Sequence, residues 1–138
     1  MNGNLAVKLK DKTHSSSTST CVFGSTVLDC SALAITYCCK LRIKHIGTSL
    51  DVGVGWCQLI VSEKCGFRKG FDVICNDGQI SSKSDSTVNG TYSQVLYGKG
   101  DIVEMIFRPS TMKLKISCNA NEQTLNVKKP ENGDHLRF

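Results

Sequence analysis

The stretch GKGDIVEMIFRPSTMKLKISCNANEQTLNV, residues 98–127, contains three short runs in which apolar and polar residues alternate. A period of two residues indicates a β-strand, because successive side chains of a strand point to opposite faces of its sheet. The segments RPST (108–111) and NANEQ (119–123) between the runs consist mostly of residues that favour turns. The stretch therefore predicts three antiparallel strands that are linked by two hairpins.

The first run, DIVEMIF (101–107), carries apolar residues at both odd and even positions. This composition is typical of an inner strand of a layered sheet, and it predicts that both faces of the strand are largely buried. The second run, MKLKISC (112–118), alternates strictly. Its pattern predicts an inner face formed by Leu114, Ile116 and Cys118 and an outer face formed by Lys113, Lys115 and Ser117.

The segment ITYCCKLRIKH (35–45) alternates in the same way and predicts a further strand. NLAVKLK (4–10), VGVGWCQLIV (52–61) and FDVIC (71–75) also read as strands, and the segment 21–31 reads as two short ones around a glycine. The glycines of VGVGW predict that another backbone or a bulky ring lies close to that strand. The inner face predicted for the 35–45 strand consists of Ile35, Tyr37, Cys39, Leu41 and Ile43.

Turn signals recur along the chain, whereas helix signals are almost absent. The tripeptide NDG (76–78) is a strong hairpin signal, and Asn89-Gly90 is a second one. No long segment combines a 3.6-residue period with helix caps. We therefore predict an all-β fold, an antiparallel two-sheet β-sandwich, with residues 1–138 forming one domain.

The composition is that of an ordinary globular protein, with 40% hydrophobic and 21% charged residues and a net charge of +5. The lysines alternate with apolar residues, a pattern that favours a solvated strand face over a nucleic-acid-binding patch. No apolar stretch approaches the roughly 20 residues of a spanning helix, and no secretory signal is evident. We expect no membrane association and a cytoplasmic or nuclear location.

The eight cysteines show no C-x-x-C spacing, and no pair of histidines stands at metal-ligand spacing. We therefore expect reduced thiols, no metal and no cofactor. In a secreted protein the alternative would be a set of disulfides, and Asn89-Gly90-Thr91 would be a glycosylation site. The cysteines are Cys21, Cys30, Cys38, Cys39, Cys57, Cys65, Cys75 and Cys118.

The order of several motifs resembles that of a SPRY domain over residues 20–138. These motifs are YCCKLRIKH followed by VGVGW, then GFDV, DGQI, GKGDIVEMIF and MKLKISCNANEQ. The resemblance implies a concanavalin-like jelly roll without catalytic activity, which captures a peptide or a partner protein with loops at one edge. The chain departs from the family pattern at Gly70-Phe71-Asp72, where the usual tryptophan is missing. It also ends where family members continue through a last strand, which we expect to be short or missing.

The binding residues that we predict lie in loops. The segment KCGFRKG combines an aromatic residue with two cations, a composition enriched at interface hot spots, and the resemblance places this loop on the ligand surface. Two tyrosines and a lysine flank the second Asn-Gly turn and are expected near the same rim, although a core position is the alternative for each tyrosine. The predicted site consists of Phe67, Arg68, Lys69, Tyr92, Tyr97 and Lys99.

Other functions have weaker sequence support. The three histidines, His14, His45 and His135, show no spacing that pairs them with an activated thiolate, and Asp72 and Asp77 flank a turn, so we predict no enzyme. Two alternatives remain open: a basic structural subunit of a ribonucleoprotein, and a carbohydrate-binding lectin. The lectin is less favoured because the chain has one tryptophan, and it lies in an apolar strand where we expect it to pack in the core.

Overall fold

The computed structural model describes residues 24, 26–57, 70–131 and 133–138, and these residues contain eight β-strands and no helix. The strands form two antiparallel four-stranded sheets that are not closed into a barrel, which confirms the predicted all-β sandwich. The strands are β1 (Tyr37–Arg42), β2 (Asp51–Cys57), β3 (Phe71–Cys75), β4 (Ile80–Ser82), β5 (Ile102–Arg108), β6 (Lys113–Cys118), β7 (Asn121–Asn126) and β8 (His135–Arg137). We call the sheet with the order β1-β5-β6-β7 the meander sheet and the sheet with the order β4-β3-β2-β8 the glycine sheet.

The predicted three-strand meander is confirmed by β5, β6 and β7, which pair in chain order. The turn between β6 and β7 is shorter than predicted. It contains only Asn119 and Ala120, whose φ angles of 50° and 68° are those of a type I′ hairpin. Because this turn matches the twist of the two strands, β7 begins directly after it, at Asn121.

Strand β5 is an inner strand, as predicted, but the prediction that both of its faces are buried is wrong. Val103, Met105 and Phe107 are buried, whereas Ile102 on the other face is 47% exposed and Ile106 is half-buried. The reason is that this second face is turned away from the glycine sheet. The predicted inner and outer faces of β6 are confirmed, since its inner residues are all buried.

In β1 the predicted inner face is confirmed except at its first residue. Ile43, directly after the strand, is buried, and Tyr37, Cys39 and Leu41 are half-buried, because β1 has one neighbour, β5, among the described strands. Ile35 lies before the strand begins and is 49% exposed, so its predicted place in the core is wrong.

The core lies between the two sheets and consists of apolar side chains from both. Phe107 is fully buried at its centre and stacks on Tyr37, with the ring centroids 6.5 Å apart. The largest fully buried apolar side chains are Phe107, Leu28, Ile74, Met105, Leu114, Ile116, Leu125 and Leu136.

The predicted close approach at the glycines of β2 is confirmed at Gly53, where an added Cβ would collide with the backbone of Asp72 and Val73 in β3. The ring of Trp56 is partly buried, packs against the core and lies against Gly70, where an added Cβ would stand 3.1 Å from the ring. The strand predicted for 4–10 and the residues 58–69 lie outside the described residues.

Both predicted turns are confirmed. Gly78 has a φ of +93° in the hairpin between β3 and β4, and Gly90 has a φ of +81°. In the segment 21–31 the described residues form no strand, although Leu28 makes an isolated antiparallel bridge to Leu136 of β8. Leu28, which precedes β1, is thus attached to β8 at the edge of the glycine sheet.

Candidate functional site

An extended segment after the turn at Asn89-Gly90 runs along the edge of β4 that does not pair with β3. The amide of Ile80 donates to the carbonyl of Thr91, and the amide of Ser93 donates to the carbonyl of Gly78, both at 2.8 Å. Tyr92 completes this contact with an antiparallel bridge to Gln79. Residues 92–97, which we call the rim segment, are therefore held against the hairpin that joins β3 to β4.

Side chains of the rim segment alternate between buried and exposed, as they do in a strand. Val95 is completely buried, while Tyr92 is 66% exposed and Leu96 is 53% exposed. Ser93 is also buried, and its hydroxyl both donates to the Gly78 carbonyl and accepts from the Val95 amide. The exposed side, formed by Tyr92, Gln94 and Leu96, is thus fixed by hydrogen bonds and packing on the buried side.

Of the two tyrosines predicted near a rim, Tyr97 belongs to the core, so its predicted role as a contact residue is corrected. It is 5% exposed, and its hydroxyl lies 2.6 Å from the carbonyl oxygens of Leu50 and Ile74. Burial raises the pKa of this hydroxyl well above its usual value, so it stays protonated and donates. Tyr97 thereby ties the rim segment to β3 and to the loop before β2.

Replacing Tyr97 with Phe removes this hydroxyl but keeps the ring. We expect the free energy of unfolding to fall by about 1–2 kcal/mol, because a buried carbonyl oxygen loses its donor. Urea denaturation followed by Trp56 fluorescence measures the loss. The matched control is Tyr92→Phe, whose hydroxyl is exposed and which we expect to be neutral; equal stabilities for both variants would contradict the assigned role of Tyr97.

Lys99 lies in a tight turn between the rim segment and β5, and its side chain is exposed. The Gly98 amide donates to the Asp101 carboxylate at 2.8 Å, and the Asp101 amide donates back to the Gly98 carbonyl at 3.1 Å. Gly100 has a φ of +93°, a conformation that glycine adopts without strain. This turn presents a cation close in sequence to the exposed side of the rim segment.

The remaining predicted site residues, Phe67, Arg68 and Lys69, lie outside the described residues, so their role stays a prediction. Gly70, the first described residue after them, directly precedes β3. The rim segment instead packs on the turn that follows β3. Gly70 and the rim segment therefore flank opposite ends of one strand.

Five thiols are free, and most of them are partly buried: Cys30, Cys38, Cys39, Cys75 and Cys118. Burial raises the pKa of Cys39, Cys75 and Cys118 above the usual value for a thiol. An activated nucleophilic cysteine has the opposite shift, since a lowered pKa gives it more thiolate. His45 is exposed at the end of β1, and His135 lies in β8.

Within the described ranges, no group of three or more His, Cys, Asp and Glu side chains is placed to hold a metal ion. In the same part of the chain there is no helix that is long and apolar enough to cross a membrane.

Comparisons of the chain with protein-family models, with curated proteins and with solved structures found no significant match. The resemblance to SPRY domains therefore has its support in the quoted motifs alone.

Leu96 and Gln94 are site residues that the sequence analysis missed. The signal was present in YSQVLY, residues 92–97, where the period of two places Tyr92 and Tyr97 on opposite sides. Polarity alone does not reveal this alternation, because the polar Ser93 is buried and the apolar Leu96 is exposed.

Proposed function

We propose that this chain is a non-catalytic protein-binding module of the SPRY type, which captures a peptide or a partner protein with its rim segment. It acts either alone or as a subunit of a larger complex, such as the substrate receptor of a ubiquitin ligase, in the cytoplasm or the nucleus. The observation that carries the proposal is the exposure of Tyr92 and Leu96 on the same side of a segment that is hydrogen-bonded to the edge of a sheet.

The exposed side chains of the rim segment are of types that contribute strongly to protein binding. Tyrosine supplies a large apolar ring with few rotatable bonds, and tyrosine is enriched among hot-spot residues. Leu96 adds apolar area on the same side of the segment, Gln94 between them offers hydrogen-bonding groups, and Lys99 adds a charge at the margin. Because the backbone under these side chains is already ordered, little conformational entropy is lost when a partner binds.

We expect the double variant Tyr92→Ala with Leu96→Ser to fold normally and to weaken partner binding more than tenfold, about 1.4 kcal/mol or more. The full chain serves as bait for affinity capture and mass spectrometry, in low and high salt and with and without nuclease. The dissociation constant of the purified partner is then measured by calorimetry for each variant.

The matched control removes equally exposed apolar side chains elsewhere, at Leu33 and Ile35, which are 64% and 49% exposed. We expect Leu33→Ser with Ile35→Ser to change affinity by less than about twofold. If both double variants bound the partner with the affinity of the parent chain, the rim segment would not be the binding surface. Capture that disappears after nuclease treatment would favour the ribonucleoprotein alternative.

A further inference from the structure

The outer face of the meander sheet, which points away from the core, is rich in basic side chains. The alternation along its strands assigns every second residue to this face. Five basic residues share the face with two acidic ones. The basic residues are Lys40, Arg42, Arg108, Lys113 and Lys115, and the acidic ones are Glu104 and Glu122.

Both acidic side chains are already paired with lysines of the same face. Lys40 lies 3.1 Å from Glu104, its partner in the register of β1 and β5, and Lys115 lies 3.6 Å from Glu122. The other three cations, Arg42, Arg108 and Lys113, form no ion pair with any described residue. The excess positive charge is therefore concentrated at the two ends of the face.

The register places two of these cations directly opposite each other. Arg108 of β5 faces Lys113 of β6, and both side chains are exposed. Like charges at directly opposite positions destabilise an antiparallel pair. An anionic group that bound between them would remove this repulsion.

Apolar side chains accompany the charges on the same face. Ile102 is 47% exposed beside Arg42, and Ile106 is half-buried beside Lys115. A shallow depression of about 410 Å³ also opens here, next to the β6–β7 turn. Its lining includes both ion pairs, Lys40 with Glu104 and Lys115 with Glu122, together with Ile102.

We propose that the outer face of the meander sheet binds an acidic segment of a partner protein that carries apolar residues between two acidic ends. From Ile102 to Arg108 the strand rises about 20 Å, so an extended segment of roughly eight residues spans the face. Nucleic acid fits less well, because the described residues of this face include no aromatic ring on which a base could stack. This surface is distinct from the rim segment, so the proposal goes beyond the function proposed above.

The size of the face sets the expected affinity. Four strands about 4.8 Å apart and about 20 Å long offer far less than the roughly 800 Å² that each partner buries in a stable complex. We therefore expect a weak complex, with a dissociation constant on the order of 10⁻⁵–10⁻⁴ M. Raising the salt concentration from about 50 to about 300 mM weakens it, because exposed charges are then screened.

The test is an NMR titration of the ¹⁵N-labelled full chain with a synthetic peptide of about eight residues, with two glutamates at each end and alternating Leu and Ser between them. We expect saturable shifts of the amides of β5 and β6. Arg108→Glu with Lys113→Glu is expected to weaken binding at least tenfold. The matched control, Lys83→Glu with Lys129→Glu, makes the same change in net charge at exposed lysines outside this face and is expected to matter less than about twofold.

Three outcomes would overturn the proposal. The first is an absence of saturable shifts up to millimolar peptide in low salt. The second is an equal loss of affinity in the two double variants, which would show an effect of net charge alone. The third is tighter binding of an oligouridine RNA of similar charge to the same amides, which would assign the face to nucleic acid. A peptide with lysines in place of the glutamates is expected to cause no shifts.

Discussion

Replacing Asp72 with Ala is expected to lower the free energy of unfolding by about 4 kcal/mol. Asp72 is completely buried in β3, and its carboxylate accepts hydrogen bonds from the Ser82 hydroxyl at 2.6 Å, the Ser84 amide at 3.1 Å and the Ser84 hydroxyl at 2.6 Å. The substitution leaves three buried donors without an acceptor, and each such group costs about 1–3 kcal/mol.

The same hydrogen bonds connect the two sheets. The Ser84 hydroxyl that donates to Asp72 also accepts from the amide of Lys128, which follows β7 of the meander sheet. Losing the carboxylate therefore loosens the junction between β4 and the chain that leaves β7. We expect Asp72→Asn to cost less than Asp72→Ala, since the amide oxygen keeps one acceptor in place.

The measurement is urea denaturation followed by the fluorescence of Trp56, the one tryptophan of the chain. The matched control is Asp77→Ala, which removes an exposed carboxylate that accepts one hydrogen bond from the described residues, from the Gln79 amide at 3.0 Å. We expect this control to cost less than about 1 kcal/mol. Similar losses for the Asp72 and Asp77 variants would contradict the role given to the buried carboxylate.

The second large effect is expected at Phe107, where substitution by Ala lowers the free energy of unfolding by about 3–5 kcal/mol. The ring is fully buried and stacks on Tyr37, so its removal opens a cavity between the sheets and ends an aromatic contact between β5 and β1. Because domains are stable by only about 5–15 kcal/mol, this variant is to be measured at low temperature.

The neighbouring residue supplies the control. Ile106 lies on the outer face of β5 and is only half-buried, so Ile106→Ala is expected to cost about 1 kcal/mol. Equal costs at the two positions would mean that the assignment of inner and outer faces is mistaken. The variants at Phe107 and Ile106 therefore test which side chains of β5 point into the core and how deeply they are buried.

The sequence predicted the meander well because its polar and apolar residues contrast strongly. Lys113 and Lys115 alternate with Leu114 and Ile116, and only one register of such a strand buries the apolar set. The prediction failed at DIVEMIF, since apolar residues on both faces do not reveal which face meets a second layer. It also failed at Ile35, because the alternating pattern starts two residues before the strand, which begins at Tyr37.

The site could be predicted only in part. The sequence analysis predicts both Tyr92 and Tyr97 as binding residues, but they are five positions apart, and this odd spacing places their rings on opposite sides of an extended chain. The sequence pattern predicts that Asp72 and Asp77 both serve a turn. Asp77 does lie in the turn after β3, whereas Asp72 is buried within β3. The role of Asp72 depends on serines ten and twelve residues away, and no local pattern reveals such partners.

We propose that the two sheets hold the rim segment in an exposed position, where it binds a partner protein. The most direct test is hydrogen–deuterium exchange of the chain with and without its purified partner. We expect slower exchange of the amides at Tyr92, Gln94, Leu96 and Lys99 in the complex. Unchanged exchange at these amides while the partner is fully bound would contradict the claim.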